Sequence, residues 1–83
     1  MNFKVTDACL TEFDIQWEIA EPKGKAQILS AMIMYVKRKY DVQNFRTNID
    51  AKTKELEDIV STLELKDFLA VSRAIGYARK QIK

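Results

Sequence analysis

Apolar residues recur at steps of three and four along two consecutive stretches in the second half of the chain. The first stripe consists of Ile49, Thr53, Leu56, Val60 and Leu63, and the second of Phe68, Val71, Ile75, Ala78 and Ile82. This spacing places each set on one face of an α-helix. Asn48 is a suitable N-cap for the first helix, and the second is expected over residues 66–82. Because only residues 62–65 separate the stripes, the pattern predicts an antiparallel αα-hairpin with coiled-coil-like packing.

A further helix is expected over residues 25–40, after a break at Pro22 and Gly24. Its broad apolar face consists of Ile28, Leu29, Met32, Ile33, Val36 and Tyr40, and Met34 falls nearly opposite that face. A helix that is apolar on more than one side is usually central in its fold or buried at an interface. Residues 41–47 are interpreted as a loop in which Phe45 packs beneath the core.

The first segment allows two interpretations. Residues 13–19 alternate apolar and polar side chains, which is the period of a half-buried strand, and residues 3–6 alternate in the same sense. The competing interpretation is a helix capped by Thr6 or Asp7, with Leu10, Phe13 and Trp17 on one face. That helix leaves Ile15 and Ile19 off its apolar stripe, so we favour the strand.

The predicted fold class is therefore α+β within a single domain of residues 1–83. An N-terminal β-hairpin precedes three helices, and the last two form the αα-hairpin. The alternative is an all-α four-helix bundle. In either case the expected core consists of Trp17, Ile28, Leu29, Ile33, Val36, Leu56, Val60, Phe68, Val71 and Ile75.

The composition excludes most catalytic and metal chemistries. The 83 residues contain no histidine, one cysteine and two glycines. Histidine is the usual general base near neutral pH, structural zinc needs about four Cys or His ligands, and phosphate-binding loops need several glycines. We therefore expect no enzyme, no cofactor and no metal. Cys9 is interpreted as a small buried hydrophobe.

The same counts bear on location and assembly. A lone cysteine and the lack of an apolar leader indicate a cytoplasmic protein. The longest nearly apolar run, residues 28–36, is well short of the roughly 20 residues that span a bilayer, so no membrane insertion is expected. A chain this short buries little surface and has no disulfide or zinc to stabilise it, which leaves helix packing and self-association as routes to stability.

The charges alternate in blocks along the chain. The net charge is +2, but residues 1–21 and 47–65 are acidic while residues 22–46 and 66–83 are basic. Oppositely charged elements could lie side by side, or the basic elements could converge. On the last helix Lys66, Arg73 and Lys80 are seven residues apart, with Leu69, Gly76 and Tyr77 among them. This face is either solvated, packed against the acidic N-terminal segment, or a binding site.

Two binding functions follow. The first is a regulator or adaptor that contacts a protein partner, or a second copy of itself, through Lys66, Leu69, Arg73, Tyr77, Lys80 and Met34. The second is a nucleic-acid binder whose contacts are Lys37, Arg38, Lys39, Arg73, Arg79 and Lys80. Small size without catalytic residues is typical of phage and mobile-element accessory proteins that inhibit or redirect a host factor. Gly76, inside a helix, indicates the close approach of another backbone, within the chain or across a dimer.

Overall fold

The computed structural model describes residues 7–83, and over this range the chain is helical, with no strand. The four α-helices are α1 (Ala8–Ile19), α2 (Pro22–Lys39), α3 (Arg46–Val60) and α4 (Leu65–Gln81), and a 3-10 helix (Val42–Phe45) precedes α3. The predicted α+β fold is wrong, and the chain forms the four helices of the all-α alternative. Residues 3–6, assigned to the hairpin, lie outside the described range.

The alternating segment is a helix because its start is capped and one helical face is buried. The Asp7 side chain accepts a hydrogen bond from the backbone N–H of Cys9 at 2.9 Å, which satisfies a donor of the first turn. Trp17 is buried, and Leu10 and Phe13 pack against the core. Ile15 and Ile19 point away, with 51% and 73% of their surface exposed. Cys9 is also exposed rather than buried.

The helix predicted over residues 25–40 begins earlier, at Pro22. A proline suits the first turn, where its missing N–H costs no hydrogen bond, so Pro22 and Gly24 lie inside α2 rather than in a break before it. The buried residues of α2 are Ala26, Leu29, Met32, Ile33 and Val36. This helix packs against α1, α3 and α4, which confirms the prediction of a central helix.

The predicted loop over residues 41–47 is mostly helical. The Asp41 side chain caps the 3-10 helix through the backbone N–H of Gln43, and α3 then begins at Arg46. Asn48 is thus inside α3 rather than its N-cap, and its side chain accepts a hydrogen bond from Lys52. Phe45 is half-buried against the core, as predicted.

Successive helices run antiparallel. The start of α1 meets the end of α2, where Asp7 accepts hydrogen bonds from Tyr35 and Tyr40. The start of α2 meets the second half of α3 through Lys25 and Glu55. The end of α4 meets the start of α3, where Arg79 and Lys83 line one depression with Arg46 and Asp50. As a result α1 is parallel to α3 and α2 is parallel to α4. None of the helices over residues 7–83 is long and apolar enough to cross a bilayer.

The core of α4 differs from the predicted stripe. Its buried residues are Val71, Ala74, Ala78 and Ile82, whereas Phe68 is 38% exposed and Ile75 is half-buried. Alanine at two of the buried positions lets α2 and α4 pack closely, and this is the most extensive helix pair. Elsewhere Trp17, Leu29, Ile33, Val36 and Leu56 are buried as predicted, while Ile28 and Val60 are half-buried.

Candidate protein-binding groove

The outward face of α2 forms the floor of a groove between α1 and α4. One end of this groove is lined by Phe13 from α1, by Ala31, Met34, Tyr35, Lys37 and Arg38 from α2, and by Tyr77 from α4. The other end is lined by Ala26, Gln27, Ser30, Ala31 and Met34 from α2 and by Ala70, Arg73 and Ala74 from α4. Ala31 and Met34 line both ends, so the two depressions adjoin along α2; together they are called the α2 groove.

The floor of the α2 groove is apolar and shallow because of its residue types. The five buried positions of α2 face the core, and Met34 falls on the opposite side with 55% of its surface exposed. Ser30, Ala31 and Ala70 have short side chains and therefore leave a depression between α2 and α4. A flexible, polarisable methionine in such a depression can adapt to an apolar partner side chain.

The rim of the α2 groove is basic. Lys37, Arg38 and Arg73 are exposed, and within residues 7–83 none of them is in an ion pair. Among residues 7–83, no carboxylate lines either end. An apolar floor with an unpaired cationic rim favours ligands that combine apolar and acidic groups.

Arg79 differs from these three cations because its charge is satisfied within the fold. Its guanidinium donates to Glu57 Oε1 at 2.8 Å and to Glu57 Oε2 at 3.1 Å, and it also pairs with Asp50. These hydrogen bonds, the ones to Glu57 more than the one to Asp50, raise the pKa of Arg79 and lower the pKa values of both carboxyl groups. Arg79 therefore links α4 to α3.

The structure brings together five of the residues that sequence analysis assigned to binding. Met34, Arg73, Tyr77, Lys37 and Arg38 all line the α2 groove. Lys66 and Leu69 are exposed near the start of α4 but do not line it. Lys80 lies beside Arg79 in a separate depression. Lys39 lies over the ring of Tyr35, 5.3 Å from its centre.

Gly76 is exposed, and a Cβ placed there would meet no atom of the described residues within 4 Å. Among residues 7–83, therefore, no backbone crosses close to Gly76, contrary to the prediction of a crossing within the chain. Its proposed role in a crossing between two chains stays a prediction.

Sequence analysis did not anticipate the polar cluster at the start of α1. The Asp7 carboxylate accepts hydrogen bonds from Tyr40 at 2.6 Å and from Tyr35 at 2.8 Å. These two bonds, with that of Tyr40 the stronger, lower the pKa of Asp7 from 3.8 to about 2. The same contacts raise the pKa values of both tyrosines. The sequence identifies Asp7 only as a helix cap, because its tyrosine partners lie 28 and 33 residues further along the chain.

The described residues contain no group of three Cys, Asp or Glu side chains arranged to hold a metal ion. No protein-family model matches the chain, and no curated protein or solved structure matches it significantly.

Proposed function

We propose that this protein is a binding module that takes an acidic amphipathic helix of a protein partner into the α2 groove. The observation that carries the proposal is the combination of an exposed Met34 on the floor with three unpaired cations, Lys37, Arg38 and Arg73, on the rim. A partner helix would place apolar side chains on Met34 and carboxylates toward the rim, which is the helix-in-groove mode of recognition.

The composition of the groove favours protein over nucleic acid. Phe13, Met34 and Tyr77 give it apolar walls and floor, whereas a phosphate backbone needs a continuous row of cations. Tyr77 is half-buried against the core, which leaves little of its ring for base stacking. Arg79, a candidate phosphate contact, is held by two carboxylates. For these reasons we favour a protein ligand over a nucleic acid.

Binding of this kind needs no catalytic group, and it suits a regulator or adaptor that occupies a segment of another protein. Inhibition of a host factor, as phage and mobile-element accessory proteins perform it, is one form of such regulation. Because the rim cations are exposed and without ion pairs, we expect the association rate to be high and to fall with salt. The apolar contact with the floor should depend little on salt.

The test uses methionine-methyl NMR with two synthetic helical peptides. Both carry leucines on one face; one carries glutamates on the other face, and the control peptide carries lysines. We expect the acidic peptide to shift the methyl resonance of Met34 saturably, with a much smaller shift at the buried Met32. Arg73→Glu should weaken binding at least about tenfold, and Lys83→Glu, a change at an exposed cation outside the groove, should not.

Three outcomes would overturn the proposal. The first is equal binding of both peptides, and the second is shifts that spare Met34. The third is a shift of the Met34 methyl resonance by an oligonucleotide, with steep salt dependence, and none by the acidic peptide. That result would make the α2 groove a nucleic-acid-binding site.

A further inference from the structure

We propose that the acidic helix in the α2 groove is α1 of a second copy of this chain, so that the protein forms a symmetric dimer. The inference rests on the proposed function, because it assigns an occupant to the same groove.

The outward face of α1 has the composition that the groove favours. Ile15 and Ile19 are four residues apart and therefore adjacent on one side of the helix, opposite the buried Trp17. They are 51% and 73% exposed. Glu12 and Glu18 lie beside them and are exposed as well. This face, defined by Glu12, Ile15, Glu18 and Ile19, is called the α1 outer face.

Two isoleucines exposed side by side on one helix face form an apolar patch that a partner can cover. They are also the residues that made a strand the favoured interpretation, since a helix leaves them unburied. A local pattern that conflicts with the fold of the single chain is expected where the chain has a second requirement, such as an interface.

Charge pairing supports the same occupant. Within the molecule Lys52 pairs with Asp14 at 2.7 Å, Lys25 with Glu55 at 2.8 Å, and Arg79 with Glu57 at 2.8 Å. After these pairs are formed, the described residues leave Glu12 and Glu18 on the α1 outer face and three cations on the groove rim without an ion pair. Glu12 accepts a hydrogen bond from the neutral side chain of Gln16 at 2.7 Å and so keeps its charge uncompensated. The acidic N-terminal block and the basic blocks thus meet only in part within one copy.

The position of the two surfaces allows a closed dimer. Phe13, on the inner side of α1, lines the groove, so α1 borders the groove of its own copy and carries the α1 outer face on its far side. A two-fold axis can then place each α1 in the groove of the other copy and form both contacts at once. The contact would give this small domain the additional buried apolar surface that it lacks alone.

The experiment measures molar mass by sedimentation equilibrium for the wild type and two charge-reversed variants. The α1 variant carries Glu12→Lys and Glu18→Lys, and the groove variant carries Arg38→Glu and Arg73→Glu. We expect the wild type to dimerise and each variant to self-associate at least about a hundredfold more weakly, because like charges then face each other. Mixing the two variants should restore the dimer, since every contact in the mixed pair again joins opposite charges.

Matched controls carry the same charge changes away from both surfaces. Asp58→Lys with Glu64→Lys controls for the α1 variant, and Lys54→Glu with Lys83→Glu controls for the groove variant; all four residues are exposed. Both controls should dimerise like the wild type. Circular dichroism and the urea midpoint of each variant establish that it folds. A third variant, Ile15→Ser with Ile19→Ser, should fold normally and be monomeric.

A wild type that stays monomeric up to about 1 mM would overturn the inference, because the Kd of any dimer would then lie above about 1 mM. So would a dimer that neither variant weakens, or two monomeric variants whose mixture does not dimerise. The two proposals can fail independently. If the wild type is monomeric but the methyl resonance of Met34 still shifts with the acidic peptide, the proposed function stands and only the dimer is ruled out.

Discussion

The indole Nε1 of Trp17 donates a hydrogen bond to Glu55 Oε1 over 3.1 Å, which links α1 to α3. The other carboxylate oxygen of Glu55 accepts from Lys25 Nζ of α2 at 2.8 Å, and Lys25 also lies 5.0 Å from the centre of the Trp17 ring. A single carboxylate therefore joins three helices around the one tryptophan. The hydrogen bond from Lys25, followed by that from Trp17, lowers the pKa of Glu55.

Removal of this carboxylate should destabilise the fold. In Glu55→Ala the buried indole N–H loses its acceptor and Lys25 loses its charge partner, and we expect a loss of about 1–2 kcal/mol in the free energy of unfolding. Glu55→Gln keeps an acceptor and should cost less. Urea unfolding followed by Trp17 fluorescence measures both. Asp58→Ala on the same helix is the control, because Asp58 is exposed; an equal loss there would contradict the assignment.

The Asp7 cluster predicts how stability changes in acid. The folded-state pKa of Asp7, about 2, is below its ordinary value of 3.8. A carboxyl group with a lowered pKa stabilises the fold fully above its unfolded pKa, and that contribution is lost as pH falls toward the folded pKa. We expect Asp7→Asn to flatten the decline in stability between about pH 4 and pH 2, measured by urea unfolding at several pH values.

Asparagine can still cap α1, so this comparison isolates the charge of Asp7 from its capping role. Asp50, Glu55 and Glu57 also have lowered pKa values, and they will keep part of the acid sensitivity in the variant. Identical pH dependence of stability in wild type and Asp7→Asn would show that the hydrogen bonds from Tyr35 and Tyr40 do not lower the pKa of Asp7 in solution.

The sequence predicted α2, α3 and α4 to within a few residues because three- and four-residue spacing requires only local geometry. It did not predict α1 correctly. The alternation over residues 13–19 is real, but Leu10, Phe13 and Trp17 also form a helical face, and the choice depended on which isoleucines the rest of the chain covers. The Asp7 cap and the packing of Leu10, Phe13 and Trp17 on the other helices decide that question, and tertiary packing cannot be read from local spacing.

The candidate site was predictable in part. The positions of Met34, Arg73 and Tyr77 relative to the apolar stripes marked them as outward or peripheral. Their convergence with Phe13 could not be predicted, since it depends on α1 being a helix that runs antiparallel to α2. The pairing of Arg79 was equally hidden, because Glu57 lies 22 residues before it and belongs to a different helix.

The two glycines should respond differently to alanine. Gly76 lies in the interior of α4 with open space around its missing Cβ, so Gly76→Ala should stabilise the fold by about 0.5–1 kcal/mol through helix propensity and a less flexible unfolded chain. A Cβ on Gly24 would lie 3.3 Å from the Cβ of Ala20, so Gly24→Ala should gain less or lose stability. Thermal unfolding of both variants tests the contrast, and equal shifts in Tm would contradict it.

The close packing of α2 on α4 through alanines gives the last prediction. Ala78 is fully buried, so Ala78→Leu should push α4 away from its neighbours and cost about 1–3 kcal/mol or more. Phe68, which the sequence placed in the core, is 38% exposed, so Phe68→Ala should cost about 1–2 kcal/mol, well below the roughly 3–5 kcal/mol of a core phenylalanine. If urea unfolding shows that Phe68→Ala is the more damaging change and Ala78→Leu is tolerated, then α4 presents the stripe of Phe68 and Ile75 to the core. That rotation would also carry Arg73 and Tyr77 out of their present positions in the α2 groove.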